Sequence, residues 1–176
     1  ADQITTFIIG EDVKSIPNNL CSGMSIDSIV IPNNVTQVGG AVFWGCSSLK
    51  SVTLSENISS LRSIQCTPSN SRGWYDGFFE GCYSLTTITI PKGIKRIDYE
   101  TFNGCPLTSI IWNAQNCDDF AYESRHWYYG SDHINTPLRS TIKSITFGED
   151  VQHIPAYLCF GMENLSSITI PNSVTS

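Results

Sequence analysis

The chain is expected to fold as a β-rich repeat protein, α+β at most. The predicted form is a solenoid with parallel strands stacked on one face and irregular or short helical segments returning the chain. Three observations predict it. One apolar pattern recurs about every 23 residues. Each copy opens with alternation of period two, the signature of a half-buried strand, and then loosens to spacings of three to five. A mostly polar position, flanked by apolar ones, follows each strand at a fixed place.

The repeats are plain on inspection, and they outrank other signals because a missed period miscalls a fold. Ile26 to Ser48 reads IDSIVIPNNVTQVGGAVFWGCSS, and Leu85 to Pro106 reads LTTITIPKGIKRIDYETFNGCP. Units begin at Ile4, Ile26, Leu49, Leu85, Leu107, Ile142 and Leu165, at intervals of 22, 23, 36, 22, 35 and 23. The two long intervals are one unit plus an insertion, at about residues 66–78 and 117–141. Six full units and the first half of a seventh then make a single domain over residues 1–176.

Counting the first residue of a unit as zero, apolar residues fall at 0, 3, 5, 9, 12, 17 and 20. In the fourth unit these are Leu85, Ile88, Ile90, Ile94, Ile97, Phe102 and Cys105. Position 8 holds Asp12, Asn34, Asn57, Gly93, Gln115, Asp150 and Ser173. A short polar side chain there can bond the backbone of the neighbouring unit, where the chain turns and its amides and carbonyls need partners. Positions 17 and 20 trade volume. They read Phe43/Cys46, Phe79/Cys82 and Phe102/Cys105 in three units, but Cys21/Met24 and Cys159/Met162 in two others. Close-packed interiors demand such trading within one layer. Five of the seven cysteines are therefore read as small buried hydrophobes and not as disulfide partners. Cys66 and Cys117 lie in or beside the insertions, outside that reading.

The pattern L-x-x-I-x-I-P-x-x-V-x-x-I-x-x-x-x-F-x-G-C, seen at Leu85 to Cys105, resembles the BspA-like leucine-rich repeats. The resemblance covers nearly the whole chain apart from the insertions. It implies a leucine-rich-repeat solenoid, a cell-surface or secreted location, and a role as an adhesin for host matrix proteins or other cells. It carries no catalytic motif. The fifth unit departs from the pattern at Trp112-Asn113-Ala114-Gln115-Asn116-Cys117. A longer period also shows: Gly10-Glu11-Asp12-Val13 recurs as Gly148-Glu149-Asp150-Val151, a shift of 138 residues. Because the pattern runs to Ser176 in mid-unit, and solenoids carry polar caps, the chain is expected to be an excerpt of a longer array. An uncovered end of this kind invites pairing, so end-to-end self-association is an expectation too.

Composition narrows the partners. Charged residues are 15 % against a usual value of about 25 %. The net charge is −6, which disfavours nucleic acid and anionic membrane surfaces, both of which attract basic patches. No stretch reaches the roughly 20 apolar residues that span a bilayer. The expected partner is a protein, such as a host matrix or cell-surface protein, or a glycan.

Two surfaces qualify for binding. The outward strand positions, among them Thr87, Ser109 and Ser144, form a hydroxyl-rich face of the kind solenoids use for recognition. The alternative is an ordinary solvated sheet face, where Thr is favoured by β-propensity. The insertions are aromatic. The first carries Trp74, Tyr75 and Phe78, and the second carries Trp127, Tyr128 and Tyr129. Long loops on a rigid scaffold concentrate recognition residues, and aromatics are favoured in interfaces. The alternative is that these side chains bury themselves against the repeats.

Enzyme signals are absent, and the chain is not expected to be an enzyme. No G-x-S-x-G, P-loop or H-E-x-x-H motif occurs, and no cofactor is implied. His126 and His133 share the second insertion with Cys117, Asp118 and Asp119, but the spacing fits no zinc pattern, so no metal is expected. Of three Asn-x-Ser/Thr sequons, Asn34 and Asn57 occupy position 8 and are read as structural. A binding or adhesion module is the favoured function. A spacer solenoid and a glycan-binding module are the alternatives.

Overall fold

The computed structural model describes residues 4–65, 75–98, 100–120 and 141–176. Strand formation follows the alternating positions. The second to sixth units contribute β2 (Ser28–Val30), β4 (Ser51–Thr53), β8 (Thr87–Ile90), β10 (Ser109–Trp112) and β11 (Ser144–Phe147). All pairings among them are parallel. β2 pairs with β4, matching Ser28 to Ser51, and β10 lies between β8 and β11. The central register sets Thr87 beside Ser109 beside Ser144, and Ile88 beside Ile110 beside Ile145. Equivalent positions of successive units thus meet, which is why one polar/apolar alternation suffices to give the sheet a wet and a dry side.

The return path carries a second, shorter set of strands that the sequence reading left irregular. β1 (Ser15–Ile16) pairs with β3 (Gln37–Val38), and β5 (Ser60–Leu61) pairs with β9 (Arg96–Ile97), again in parallel. These are positions 11 and 12 of their units, and the polar-then-apolar step there is the signal. No helix occurs among the described residues, so the returns are turns and short strands, not helical segments. The alternating stretches of the first and seventh units form no strand.

The core is one cluster running through the units. Ile26, Leu49, Leu85, Leu107 and Ile142 start their units fully or almost fully buried. A column of rings crosses it. Phe43 stacks on Phe79 at 5.4 Å and 8°, and Phe79 stacks on Phe102 at 5.6 Å and 11°. Beside the rings, three thiols each donate to a carbonyl of the preceding unit: Cys46 Sγ to Cys21 O, Cys82 Sγ to Phe43 O and Cys105 Sγ to Phe79 O, at 3.0, 3.2 and 3.0 Å. The six cysteines among the described residues are all free.

Position 8 acts as a ladder. Asn34 Nδ2 donates to Val13 O at 2.7 Å, Asn57 Nδ2 to Asn33 O at 2.7 Å and Ser173 Oγ to Val151 O at 2.7 Å. Gly93 stands in the same row, where a Cβ would meet Glu56 O at 2.4 Å, so no side chain fits. The buried Ser55 hydroxyl adds a rung by donating to Val35 O at 2.7 Å. The glycine before each position-20 residue is fixed by its backbone: Gly23, Gly45, Gly81, Gly104 and Gly161 have φ of 69 to 76°, a left-handed turn that costs glycine nothing.

Candidate interaction surfaces

The strand face presents what the alternation promised. Thr87 and Ser144 are exposed and Ser109 is half-buried between them. The three hydroxyls form one row across hydrogen-bonded strands, with the Ser144 hydroxyl donating to Ser109 Oγ at 3.1 Å. Neighbouring rungs carry Thr108 Oγ1 donating to Thr86 O at 3.3 Å and a Lys50–Asp27 ion pair at 3.0 Å. Two residues further along each strand, Val30 and Ile111 are exposed beside Thr53, Thr89 and Thr146. The face therefore offers neutral donors, acceptors and β-branched methyls with little charge. Such a surface recognises by hydrogen bonding and shape.

The insertions meet the repeats at defined points. The first leaves and rejoins through an antiparallel pair, β6 (Ile64–Gln65) and β7 (Tyr75–Asp76). The chain then returns to the core earlier than the sequence placed it. Phe78 is fully buried, edge-on to Phe43 at 5.6 Å and to Phe79 at 4.8 Å. It is a core residue and no ligand contact, because each of its faces is already covered. Gly77 just before it shows how close the units lie: a Cβ there would fall 1.8 Å from Glu100 O. Tyr75 belongs to β7 by its backbone. Trp74, Trp127, Tyr128 and Tyr129 lie outside the described residues.

Residues 117–120 likewise belong to the fifth unit and not to the second insertion. Cys117 and Phe120 are buried, Phe120 edge-on to Trp112 at 6.5 Å, and the Asp118 amide donates to Lys95 O at 2.7 Å. Burial pushes the Cys117 thiol up to about 12, with Asp118 and Asp119 adding to it. Such a shift is what a buried core thiol shows. His126 and His133 lie outside the described residues. Among the described residues no three His, Cys, Asp or Glu side chains gather as a metal would need.

Sequence reasoning missed two features. Trp44, Tyr83, Tyr157 and Phe160 are exposed on the return side. Trp44 and Phe160 share position 18, which elsewhere holds Ser22, Glu80 and Asn103, so the variation itself was a surface signal. Asp119, His153 and Ser176 also line up, one from each of three successive units. The His153 ring nitrogens stand 2.8 Å from Asp119 Oδ1 and 3.0 Å from Ser176 Oγ. The residue types match a nucleophilic triad. Their places in the repeat account for them more simply. His153 and Ser176 both occupy position 11, and Asp119 Oδ1 also accepts the Ala156 amide at 2.8 Å. That amide, then His153, holds the exposed Asp119 carboxyl below its ordinary range.

Parallel units of about 23 residues, five of them with a strand on one side, joined by turn-rich returns and polar rungs, define a leucine-rich-repeat type of protein. A family model for the BspA-type leucine-rich repeat region matches six copies over residues 1–72, 67–127 and 138–176. The chain belongs to the BspA-type leucine-rich repeat family, whose members are in general non-enzymatic repeat scaffolds. A comparison with curated proteins gave no match. Among solved structures it is similar to a leucine-rich cell surface protein from Faecalibacterium prausnitzii A2-165. The TM-score is 0.57 with 22 % identity, over 82 % of this chain and 32 % of that one. A leucine-rich repeat protein from Bacteroides ovatus ATCC 8483 is similar at TM-score 0.46 and 16 % identity, over 97 % of this chain and 55 % of the other. The chain thus spans about a third and about half of these two proteins.

Proposed function

We propose that the chain is part of a leucine-rich-repeat solenoid that binds protein ligands at a bacterial surface, as an adhesion or recognition module without catalysis. The observation that carries this reading is the row Thr87–Ser109–Ser144, held in register on three hydrogen-bonded strands. A rigid, neutral hydroxyl row is a preorganised recognition surface, because its side chains lose little freedom on binding. The surface location draws support from the family and from the F. prausnitzii neighbour described as a cell surface protein. The inserted aromatics Trp74, Tyr75, Trp127, Tyr128 and Tyr129 form the second contact zone of the same proposal.

The test is a binding screen of the purified chain against host matrix proteins and a glycan panel. Two variants run alongside, Thr87→Arg/Ser109→Arg/Ser144→Arg and Trp74→Ala/Trp127→Ala. Binding to a matrix protein that the arginine variant loses supports the strand face. Loss in the tryptophan variant alone moves the contact to the insertions. A glycan as the sole ligand overturns the protein-binding reading, and uniform silence favours a spacer.

A further inference from the structure

Three of the stacked glycine turns share a bonding rule that Gly104 does not follow among the described residues. The amides of Gly23, Gly45 and Gly81 donate to the carbonyls of Trp44, Glu80 and Asn103 at 2.7, 2.7 and 2.9 Å. Each acceptor is the residue before the glycine of the next unit. Gly104 is the fourth in this column, and among the described residues its amide has no acceptor. The residue before it is Asn103, and the sequence contains one Asn-Gly pair, this one. Both residues are exposed.

We propose that Asn103 is a modification site, converted by spontaneous intramolecular deamidation. The Gly104 amide nitrogen loses its proton to hydroxide and attacks Asn103 Cγ. A C–N bond forms and closes a five-membered succinimide, the Cγ–Nδ2 bond breaks, and ammonia leaves. Water then opens the ring at one of its two carbonyls. The product is aspartate, or isoaspartate with the main chain routed through the side-chain carbons. No oxidant or cofactor takes part.

Two features single out this asparagine. The attacking nitrogen must be unhindered and free of a hydrogen bond that would have to break. Gly104 meets both needs, since it lacks a Cβ and its amide has no acceptor among the described residues. Asn34 and Asn57, by contrast, precede the β-branched Val35 and Ile58, and their Nδ2 groups are held by backbone carbonyls. The site also has a structural consequence. Asn103 Nδ2 donates to Glu80 Oε1 at 2.9 Å. Deamidation replaces that donor with a carboxylate, setting two like charges at a contact between the third and fourth units. Isoaspartate moves the Asn103 carbonyl that the Gly81 amide uses as well. The modification therefore loosens one rung, irreversibly, next to the stacked Phe79 and Phe102.

The experiment incubates the purified chain at mildly alkaline pH and follows it by intact mass and peptide mapping. Matched samples are the urea-unfolded chain and Asn103→Gln, which would need a six-membered ring. The folded chain should gain one dalton at residue 103 at a rate within about tenfold of the unfolded chain, because an exposed turn opens at small cost. Asn103→Gln should show no gain there. Asn103→Asp, made directly, should lower the urea midpoint. Conversion of residue 103 only in the unfolded chain overturns the proposal, as does faster conversion of another asparagine in the folded chain. An unchanged midpoint for Asn103→Asp overturns the claimed loosening of the rung.

Discussion

Phe79→Ala removes the middle ring of the aromatic column. Phe79 is fully buried and touches three other rings: Phe43 at 5.4 Å, Phe102 at 5.6 Å and Phe78 at 4.8 Å. Truncating a buried Phe costs about 3–5 kcal/mol in lost transfer energy and residual cavity. Stacked and edge-on pairs each contribute about 0.5–1.5 kcal/mol beyond area, so the lower end of that range does not apply and a loss of about 4 kcal/mol is expected. A chain of this size loses roughly 2–4 °C per kcal/mol, so Tm should drop by about 8–16 °C. Calorimetry and urea unfolding followed by circular dichroism measure it, with Thr87→Ala as a control expected within about 0.5 kcal/mol of the parent. The energy sits at the contacts among the second, third and fourth units. Repeat proteins feel such losses at nearest neighbours. Amide exchange should therefore accelerate around Leu61 and Ile97 far more than around Ile145. A loss below about 1 kcal/mol would refute the column as a source of cohesion, and equal acceleration at Ile145 would refute the nearest-neighbour reasoning.

Two further outcomes follow from burial. Ile88→Asp places an unpaired charge in a site 1 % exposed and should abolish cooperative folding, whereas Thr87→Asp on the opposite strand face should be nearly silent. The thiols set an alkaline limit. Burial raises Cys21 from 9.0 to about 11 and Cys117 to about 12, and the neighbouring Cys105 together with burial raises Cys82. A raised folded-state pKa favours the protonated thiol, so the stability it contributes is whole below 9.0 and is lost as pH climbs through the folded values. Urea midpoints should hold to about pH 9 and fall between about 9 and 12. Cys21→Ala/Cys117→Ala should flatten that fall, and an unchanged slope would refute the assignment.

The repeat positions were legible because their cause is local. A strand half in the core needs alternation, so Ile88 and Ile90 declare themselves beside Thr87 and Thr89. The same held for the rung at Asn34, Asn57 and Ser173 and for the Phe–Cys trading, since each recurs in register. Phe78 was not legible. It sits beside Phe79 at the edge of an insertion, and sequence alone does not tell where an insertion rejoins a core. The boundary at Cys117 failed for the same reason, because the fifth unit breaks the pattern while its chain still packs.

The sequence by itself determined the class of fold, the register of its units and the side of each strand that faces water. These depend on a period that every unit repeats. Only the tertiary structure decided how deeply a given unit is buried, because that depends on the neighbours stacked on either side. Cys82 and Cys105 occupy one repeat position, yet one is fully buried and the other only half-buried. That the Gly104 amide has no acceptor among the described residues is a fact of the same kind. A hydrogen bond between units needs a partner at the right place in the next one, and no residue's own identity supplies that.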